Sequence, residues 1–443
     1  MNTELPFRVV QDPSHGFTRF PDESAPAPDV TVCLDVLGDG RIRARLYGPA
    51  VTSAPGSEHR VDLLVHASDI WDASADLCRL WKELLVDFRP LTVDGDLPPG
   101  EPEHPYASLV DLRSRPPGEL CGIVDELTLA GSELLFGTLL GSTDPRVDRF
   151  RTYLARALSE NEGLRVRFDS ELYVPWPMVC LRPEDLPMPE PDEGPAVLFR
   201  RFLGHRHQIE QTGGAYPWLD SRQEQFDIPT VSLNHDKRMD RKGRTRAAEV
   251  AAVLAKDTHF VERTDRAQFV QALANPELCE HLMYFWCHGH FVPNGTRPAR
   301  LALRLTDVTA IDARTVRDGR RRFGNNSRFQ PFVMLNACHA GVPQGGGDLA
   351  FLGGALIHAG ARGVLGPQIE MPQAFAAEYA LEFVTRYLGG TETAGAIAYD
   401  IARRFADELH NPLGFAYALH CGMDTSLGRA EAPLDTDNQE LTV

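Results

Sequence analysis

The stretch "LMYFWCHGH", residues 282–290, is a short apolar run that ends in two histidines separated by a glycine. Residues 331–341, "PFVMLNACHAG", have the same layout, because an apolar run there leads into Cys338 and His339. Apolar runs of this length are typical of strands buried in the middle of a sheet. We therefore expect two buried strands with reactive side chains at their carboxyl ends.

The sequence around these two runs alternates between strand and helix patterns. From about residue 228, short apolar runs such as "IPTVSLN", "THFVER" and "RGVLGPQI" are separated by helical stretches such as "RAAEVAAVLAK" and "FAAEYALEFVTRYL". This order predicts an α/β fold with a doubly wound, mostly parallel sheet and helices on both faces. Catalytic groups in such sheets gather beyond the carboxyl ends of the strands.

His288 and Cys338 would converge if their two strands are parallel neighbours. A free thiol has a pKa of about 8.5 and needs a nearby base to become a good nucleophile near neutral pH. His288 can accept the thiol proton and return it to the leaving amine. The amides of Gly289 and Cys338 are candidates for the oxyanion hole, since glycine lets the backbone approach a substrate closely.

Both motifs resemble the signatures of the CHAT family, a group of caspase-related cysteine peptidases. The resemblance extends through "LGGALIHAGARGVLG" and "NPLGFAYALHCG", and upstream to "LRVRFDSELYVPWPMVCL", so that it covers roughly residues 120–425. It implies a caspase-like fold, with Cys338 as nucleophile, His288 as base and Gly289 as an oxyanion contributor. Covalent acyl transfer of this kind implies no cofactor.

One segment departs from the family pattern. Members often carry Trp-x-x-Asp near the pocket for P1, the substrate residue on the amino side of the scissile bond, whereas this chain reads "LGPQIEMPQ". Glu370 is the nearest acid and Asp348 is the second candidate. An unpaired, buried carboxylate would favour Arg or Lys at P1, because a cation relieves its desolvation.

The amino-terminal part predicts a smaller α/β unit. Residues 31–48 alternate around Gly38-Asp39-Gly40 as a hairpin does, and a third strand and a helix follow from Val61. The predicted organisation is a flexible leader (1–28), a regulatory or pseudo-catalytic α/β region (29–190), the catalytic region (191–428) and an acidic tail (429–443). The Arg-rich stretch after residue 313 is expected to be an exposed loop.

Other roles for the same residues remain open. Cys287 is expected to be structural, because strand alternation directs it away from the face of His288. His290 could support His288, and His339 is expected to point away from Cys338. His288, His290, His339 and Cys338 could instead bind zinc, although no CxxC or HxxxH pair supports that. A non-catalytic interaction or scaffold module of the same fold is the other alternative.

Composition narrows the class of protein. The chain has 443 residues, 45 of them basic and 62 acidic, and its net charge of −17 opposes binding to nucleic acid or to anionic membranes. The sequence shows neither a signal peptide nor a stretch long enough to cross a membrane. Eight scattered cysteines favour reduced thiols and a cytoplasmic location. The expected partners are a protein substrate and an activating or regulatory subunit.

Overall fold

The computed structural model describes residues 27–52, 59–87, 109–186, 195–213, 225–294, 297–321, 323, 328–337 and 352–429. Three residues singled out in the sequence, Cys338, His339 and Asp348, lie outside these ranges. So do nearly all of the predicted leader and acidic tail.

An eleven-stranded sheet runs through the described chain, with the strand order β3-β2-β1-β4-β5-β15-β14-β13-β9-β7-β8. The strands, in chain order, are β1 (Val30–Val36), β2 (Arg41–Tyr47), β3 (His59–His66), β4 (Arg165–Ser170), β5 (Gln208–Thr212), β6 (Gln225–Phe226), β7 (Thr230–His235), β8 (His259–Arg263), β9 (Leu282–Trp286), β10 (His288–Asn294), β11 (Arg297–Arg304), β12 (Ala310–Asp312), β13 (Phe332–Asn336), β14 (Gly363–Pro367), β15 (Tyr417–His420) and β16 (Gly428–Arg429).

Helices pack against this sheet. They are α1 (Ala67–Trp81), α2 (Pro117–Ser132), α3 (Pro145–Ser159), α4 (Ala196–Phe199), α5 (Leu203–Arg206), α6 (Ala247–Ala255), α7 (Arg266–Leu273), α8 (Ala313–Arg320), α9 (Leu352–His358), α10 (Gln373–Gly389) and α11 (Ala394–Leu409). Wider, π-helical turns continue α1 through Lys82–Val86 and α2 through Glu133–Leu139.

Alternating residues of β9 face two different cores. Leu282, Tyr284 and Trp286 pack into the larger core, which α6, α10 and α11 help to form. Met283 and Phe285 point the other way, into a second core that contains residues of α7, α8 and α9. Both faces of this half of the sheet are therefore covered, as a buried, mostly parallel sheet requires. The predicted α/β fold class is confirmed.

The amino-terminal strands extend the same sheet. β1 and β2 form the predicted hairpin, and Gly40 has a positive φ of 80° at its turn. β4 pairs in parallel with both β1 and β5, so the sheet continues across residue 190 without a break. β5 joins the second half through β15, where His420 is paired with Gln211. A domain boundary near residue 190 stays a prediction.

Two local expectations were wrong. The strand β9 ends at Trp286, and His288 begins β10, which belongs to a separate three-stranded sheet with β11 and β12. The Arg-rich stretch begins with helix α8 instead of a loop, because Asp312 and Thr315 form a capping box at its amino end. Arg320 in this helix is buried and donates hydrogen bonds to backbone carbonyls at Leu273 (3.1 Å) and Asn275 (2.8 Å).

No helix in the described ranges is both long and apolar enough to cross a membrane.

Candidate active site

The carboxyl ends of β9 and β13 lie side by side. The two strands are parallel and in register, with Trp286 beside Asn336. Neighbouring strands are about 4.8 Å apart, and here the Cys287 N–H also donates to the Asn336 carbonyl, at 3.5 Å. The pairing on which convergence of the two motifs depends is therefore confirmed.

A cavity of about 220 Å³ opens at this edge of the sheet. Its walls come from five parts of the chain: the end of α1, the turn after β7, the ends of β9 and β13, and the start of α10. The lining residues are Val86, Met239, Trp286, Cys287, His288, Asn336, Ala337, Glu370, Met371, Pro372, Gln373 and Ala376. Ala337 directly precedes Cys338 in the sequence.

His288 lies on the cavity wall with an exposed side chain. Its backbone is held on one side by pairing with Arg304 in β11. Two residues earlier, the Trp286 carbonyl accepts a hydrogen bond from the Asp236 N–H at 3.0 Å. Neighbouring segments thus hold the backbone both at His288 and at Trp286, the last residue of β9.

Asp236 is a buried carboxylate close to His288. Its Oδ2 accepts a hydrogen bond from Arg238 Nη2 at 2.6 Å, and its Oδ1 accepts one from Arg238 Nε at 2.9 Å. Burial opposes ionisation, but hydrogen bonds from Arg238 and the charge of His288 bring the pKa of Asp236 below its usual value. Asp236 is therefore ionised near neutral pH and places negative charge near the imidazole.

Asn336 is the centre of a buried hydrogen-bond network at the end of β13. Its Oδ1 accepts from the Tyr417 hydroxyl at 2.6 Å, and its Nδ2 donates to the Ala376 carbonyl at 2.6 Å and to the Tyr284 hydroxyl at 3.3 Å. Tyr417 is itself stacked on Tyr379, with ring centroids 3.8 Å apart. The network joins β13 to β9, β15 and α10, and it fixes the backbone immediately before Cys338.

The residues next to His288 have different environments. Cys287 is fully buried in the second core, as a structural cysteine would be. His290 is half-buried, and burial followed by the charge of Arg304 lowers its pKa. Gly289 in β10 pairs with Leu303 in β11.

Glu370 lines the cavity, but its carboxylate is neither buried nor isolated. Its side chain is 48% exposed, and its Oε2 lies 3.7 Å from Lys82 Nζ. The premise behind a basic P1 preference was an unpaired, desolvated carboxylate, and Glu370 does not meet it.

Most of the other described thiols are unsuited to nucleophilic chemistry. Burial raises the pKa of Cys78 to about 12 and holds the pKa values of Cys180 and Cys421 well above normal. Cys279 is exposed and is the natural competitor for a thiol reagent. Within the described ranges, no group of three or more His, Cys, Asp or Glu residues could hold a metal ion.

Residues 222–404 match the CHAT domain family. This range contains both strand-end motifs and the cavity residues from Met239 to Ala376. The resemblance to the CHAT family is thereby confirmed for that part of the chain.

Two kinds of relative accompany this match. A probable protease of Vitiosangium sp. (strain GDMCC 1.1324) is 28% identical over 159 residues, which cover 34% of this chain and 20% of that protein. Two crystal structures of the Saccharomyces cerevisiae separase–securin complex, at 2.6 and 3.0 Å resolution, give TM-scores of 0.45 and 0.43. Each is 8% identical and covers 88% of this chain and 30% of the separase chain. This chain therefore spans less than a third of either relative.

Several residues of the site escaped the sequence analysis. Asp236 follows the strand "TVSLNH", whose carboxyl end lies at the same edge of the sheet, so strand order could have suggested it. Asn336 and its partner Tyr417 both lie in stretches that resemble the CHAT family, but neither residue was singled out. Lys82 and Val86 precede the CHAT domain by more than a hundred residues, and no sequence signal pointed to them.

Proposed function

We propose that this protein is a caspase-like cysteine endopeptidase in which Cys338 is the nucleophile and His288 the general base. The observation that carries the proposal is the in-register, parallel pairing of β9 with β13. His288 follows one strand by two residues, and Cys338 follows the other by two. The cavity between His288 and Ala337 gives a substrate access to this edge of the sheet.

The proposed reaction is acyl transfer through a thioester. His288 takes the proton of the Cys338 thiol, and the sulfur attacks the carbonyl carbon of the scissile peptide bond. The amides of Gly289 and Cys338 stabilise the resulting oxyanion. The C–N bond then breaks, the amine leaves with the proton from His288, and water hydrolyses the thioester. Asp236, which is paired with Arg238, places a carboxylate near His288.

The proposed substrate is a specific partner protein, with Glu370 and Asp348 as candidate substrate-binding residues. Glu370 lies on the cavity wall, which supports a contact with substrate, whereas Asp348 lies outside the described residues. The CHAT resemblance supports a role in regulated proteolysis or bacterial defence, with an activating or regulatory protein as a second partner.

The test is labelling by a thiol-reactive peptide electrophile, together with cleavage of a peptide library. Cys338→Ala should abolish both, lowering turnover by at least about 10³-fold, because the covalent step needs the sulfur. Cys279→Ala is the matched control: it removes an exposed thiol outside the cavity and should leave specific labelling and cleavage unchanged.

Two results would contradict the assignment. Labelling that persists in Cys338→Ala and disappears in Cys287→Ala would identify Cys287, which follows β9, as the nucleophile. Activity that a chelator abolishes and added zinc restores would favour a metal centre that includes His288 and His290.

A further inference from the structure

The turn between β7 and α6 carries a run of basic residues. Residues 237–246 read "KRMDRKGRTR", with six cations and one carboxylate. The third residue of this run, Met239, lies on the wall of the same cavity as His288. A basic segment therefore borders the candidate active site in a chain whose net charge is −17.

The side chain of Asp240 closes this turn. Its Oδ1 accepts a hydrogen bond from the Arg244 N–H at 2.7 Å, and its Oδ2 accepts one from the Thr245 hydroxyl at 2.6 Å. The Gly243 N–H donates to the Asp240 carbonyl at 2.8 Å, and Gly243 has a positive φ of 58°. These bonds give the tip of the turn, residues 240–244, a defined shape.

The cations at the base of the turn are compensated. Each has at least one carboxylate partner, at 2.6–3.2 Å. The pairs are Arg238 with Asp236, Lys237 with Glu262, and Arg246 with both Glu249 and Glu378. The base therefore contributes no surplus of positive charge.

The cations at the tip differ from those at the base. Arg241, Lys242 and Arg244 are exposed, and no carboxylate of the described residues forms an ion pair with their side chains. Together with Asp240, they give the tip a net charge of +2. Salt screens charges on a protein surface over about 8 Å at physiological ionic strength. The tip can therefore attract an anionic group even though the whole chain is acidic.

The tip also lies close to the cavity. Arg241 follows Met239 by two residues, so their Cα atoms are at most about 7 Å apart. An extended peptide advances about 3.3 Å per residue. A substrate with one side chain in the cavity can therefore bring residues a few positions away to the tip.

We propose that the tip, residues 240–244, binds an acidic segment of the protein substrate that flanks the scissile bond. Guanidinium groups pair well with carboxylates, and charges at the rim of an interface select partners and speed their association. This inference rests on the proposed function, and it names a feature of the substrate. Nucleic acid fits the surface less well, because three cations would neutralise few phosphates and the net charge opposes a longer contact.

The test measures kcat/KM for versions of a peptide that the parent cleaves, each with three aspartates or three asparagines within five residues of the scissile bond. The substitutions are made on the amino side in one pair of peptides and on the carboxyl side in another. On one side the parent should prefer aspartate by about tenfold at low salt, and the preference should shrink as salt rises.

The variant Arg241→Gln/Lys242→Gln/Arg244→Gln should bring this ratio to within about twofold of one. Arg241→Lys/Arg244→Lys keeps the charges and should retain most of the preference. The matched control is Arg60→Gln/Arg149→Gln/Lys256→Gln, which removes three positive charges at exposed positions outside the cavity and should keep the parent's ratio.

Equal cleavage of aspartate and asparagine peptides by the parent, or a preference that survives loss of the three tip cations, would overturn the inference. Fluorescence anisotropy of the aspartate peptide with Cys338→Ala gives a reading without turnover, and an equal Kd with and without the tip cations would also overturn it. Tighter binding of a mixed-sequence, single-stranded oligonucleotide, lost with those cations, would assign the surface to nucleic acid instead. Failure of the proposed function would look different, since the parent would then lack both cleavage and Cys338-dependent labelling.

Discussion

Buried polar side chains hold particular backbone positions around the cavity. Asn336 satisfies its amide through Tyr417, Tyr284 and the Ala376 carbonyl, so the end of β13 has one well-defined geometry. Leaving one such partner unsatisfied in a buried network typically costs about 1–3 kcal/mol. The same cost explains why the residue before Ala337 is polar in an otherwise apolar strand.

A buried histidine far from the cavity makes stability depend on pH. His207 donates from Nε2 to the Leu158 carbonyl at 2.9 Å, and burial lowers its pKa from 6.5 to about 4. Below pH 6.5 the unfolded chain binds a proton that the folded chain refuses until about pH 4. The titration of His207 therefore leaves the free energy of unfolding unchanged above pH 6.5 and lowers it as the pH falls from 6.5 towards 4.

We expect His207 to contribute about 3 kcal/mol to this loss of stability between pH 6.5 and 4. His207→Gln keeps a donor for Leu158 and removes the titration, so its free energy of unfolding should fall less steeply over that range. Urea unfolding at a series of pH values measures the difference. His259→Gln, at an exposed position in β8, is the control. An unchanged slope in His207→Gln would contradict the prediction.

At the scale of elements, α2 shows how packing overrides helix propensity. Gly122 and Gly131 both lie within this helix, Pro117–Ser132. A Cβ on Gly122 would meet nothing within 4 Å, whereas one on Gly131 would lie 2.6 Å from the Met178 carbonyl oxygen and 3.0 Å from Cys180 Sγ. The second position needs glycine because the segment around Met178 approaches the helix closely.

The two glycines therefore predict opposite effects of the same substitution. Gly122→Ala should stabilise the protein by about 0.5–1 kcal/mol, the usual gain in an exposed helix interior. Gly131→Ala should destabilise it by about 1–3 kcal/mol, because backbone atoms must shift. Denaturant unfolding of both variants measures this. Stabilisation by Gly131→Ala would show that the contact with Met178 is looser than described.

At the scale of the whole molecule, one sheet and one core connect the two halves of the chain. The larger core contains residues from Val30 to Leu427. Helix α11 packs against both β5 and β15, on either side of the narrow junction between the halves. The cavity also depends on this union, because Val86 lines it from the amino-terminal half.

We expect the two halves to unfold together. In calorimetry, the described core should melt in one transition whose van't Hoff enthalpy matches the calorimetric enthalpy. Hydrogen exchange should give the amides of β1 and β13 similar opening free energies. Two separate transitions, or strand β1 opening well before β13, would instead support independent units divided near residue 190.

The amino-acid sequence alone was enough for the α/β class and for the strands and helices that flank the motifs. Those features are encoded locally, in apolar runs, in turn residues and in the order of elements. The residues of the capping box that begins α8, Asp312 and Thr315, are present in "DARTV", but the many arginines that follow suggested a solvated loop. Burial of Arg320 against α7 was visible only in three dimensions.

Tertiary structure alone decided what surrounds His288 and Glu370. Val86 on the cavity wall and Lys82 beside Glu370 come from the amino-terminal half, and such contacts leave no periodic or local pattern in a single sequence. The environment of a charge also depends on the fold. The sequence suggested that Glu370 is buried and unpaired, whereas its side chain is 48% exposed and lies 3.7 Å from Lys82. The sequence determines which groups are present, whereas the fold determines which charges and hydrogen bonds remain for a substrate.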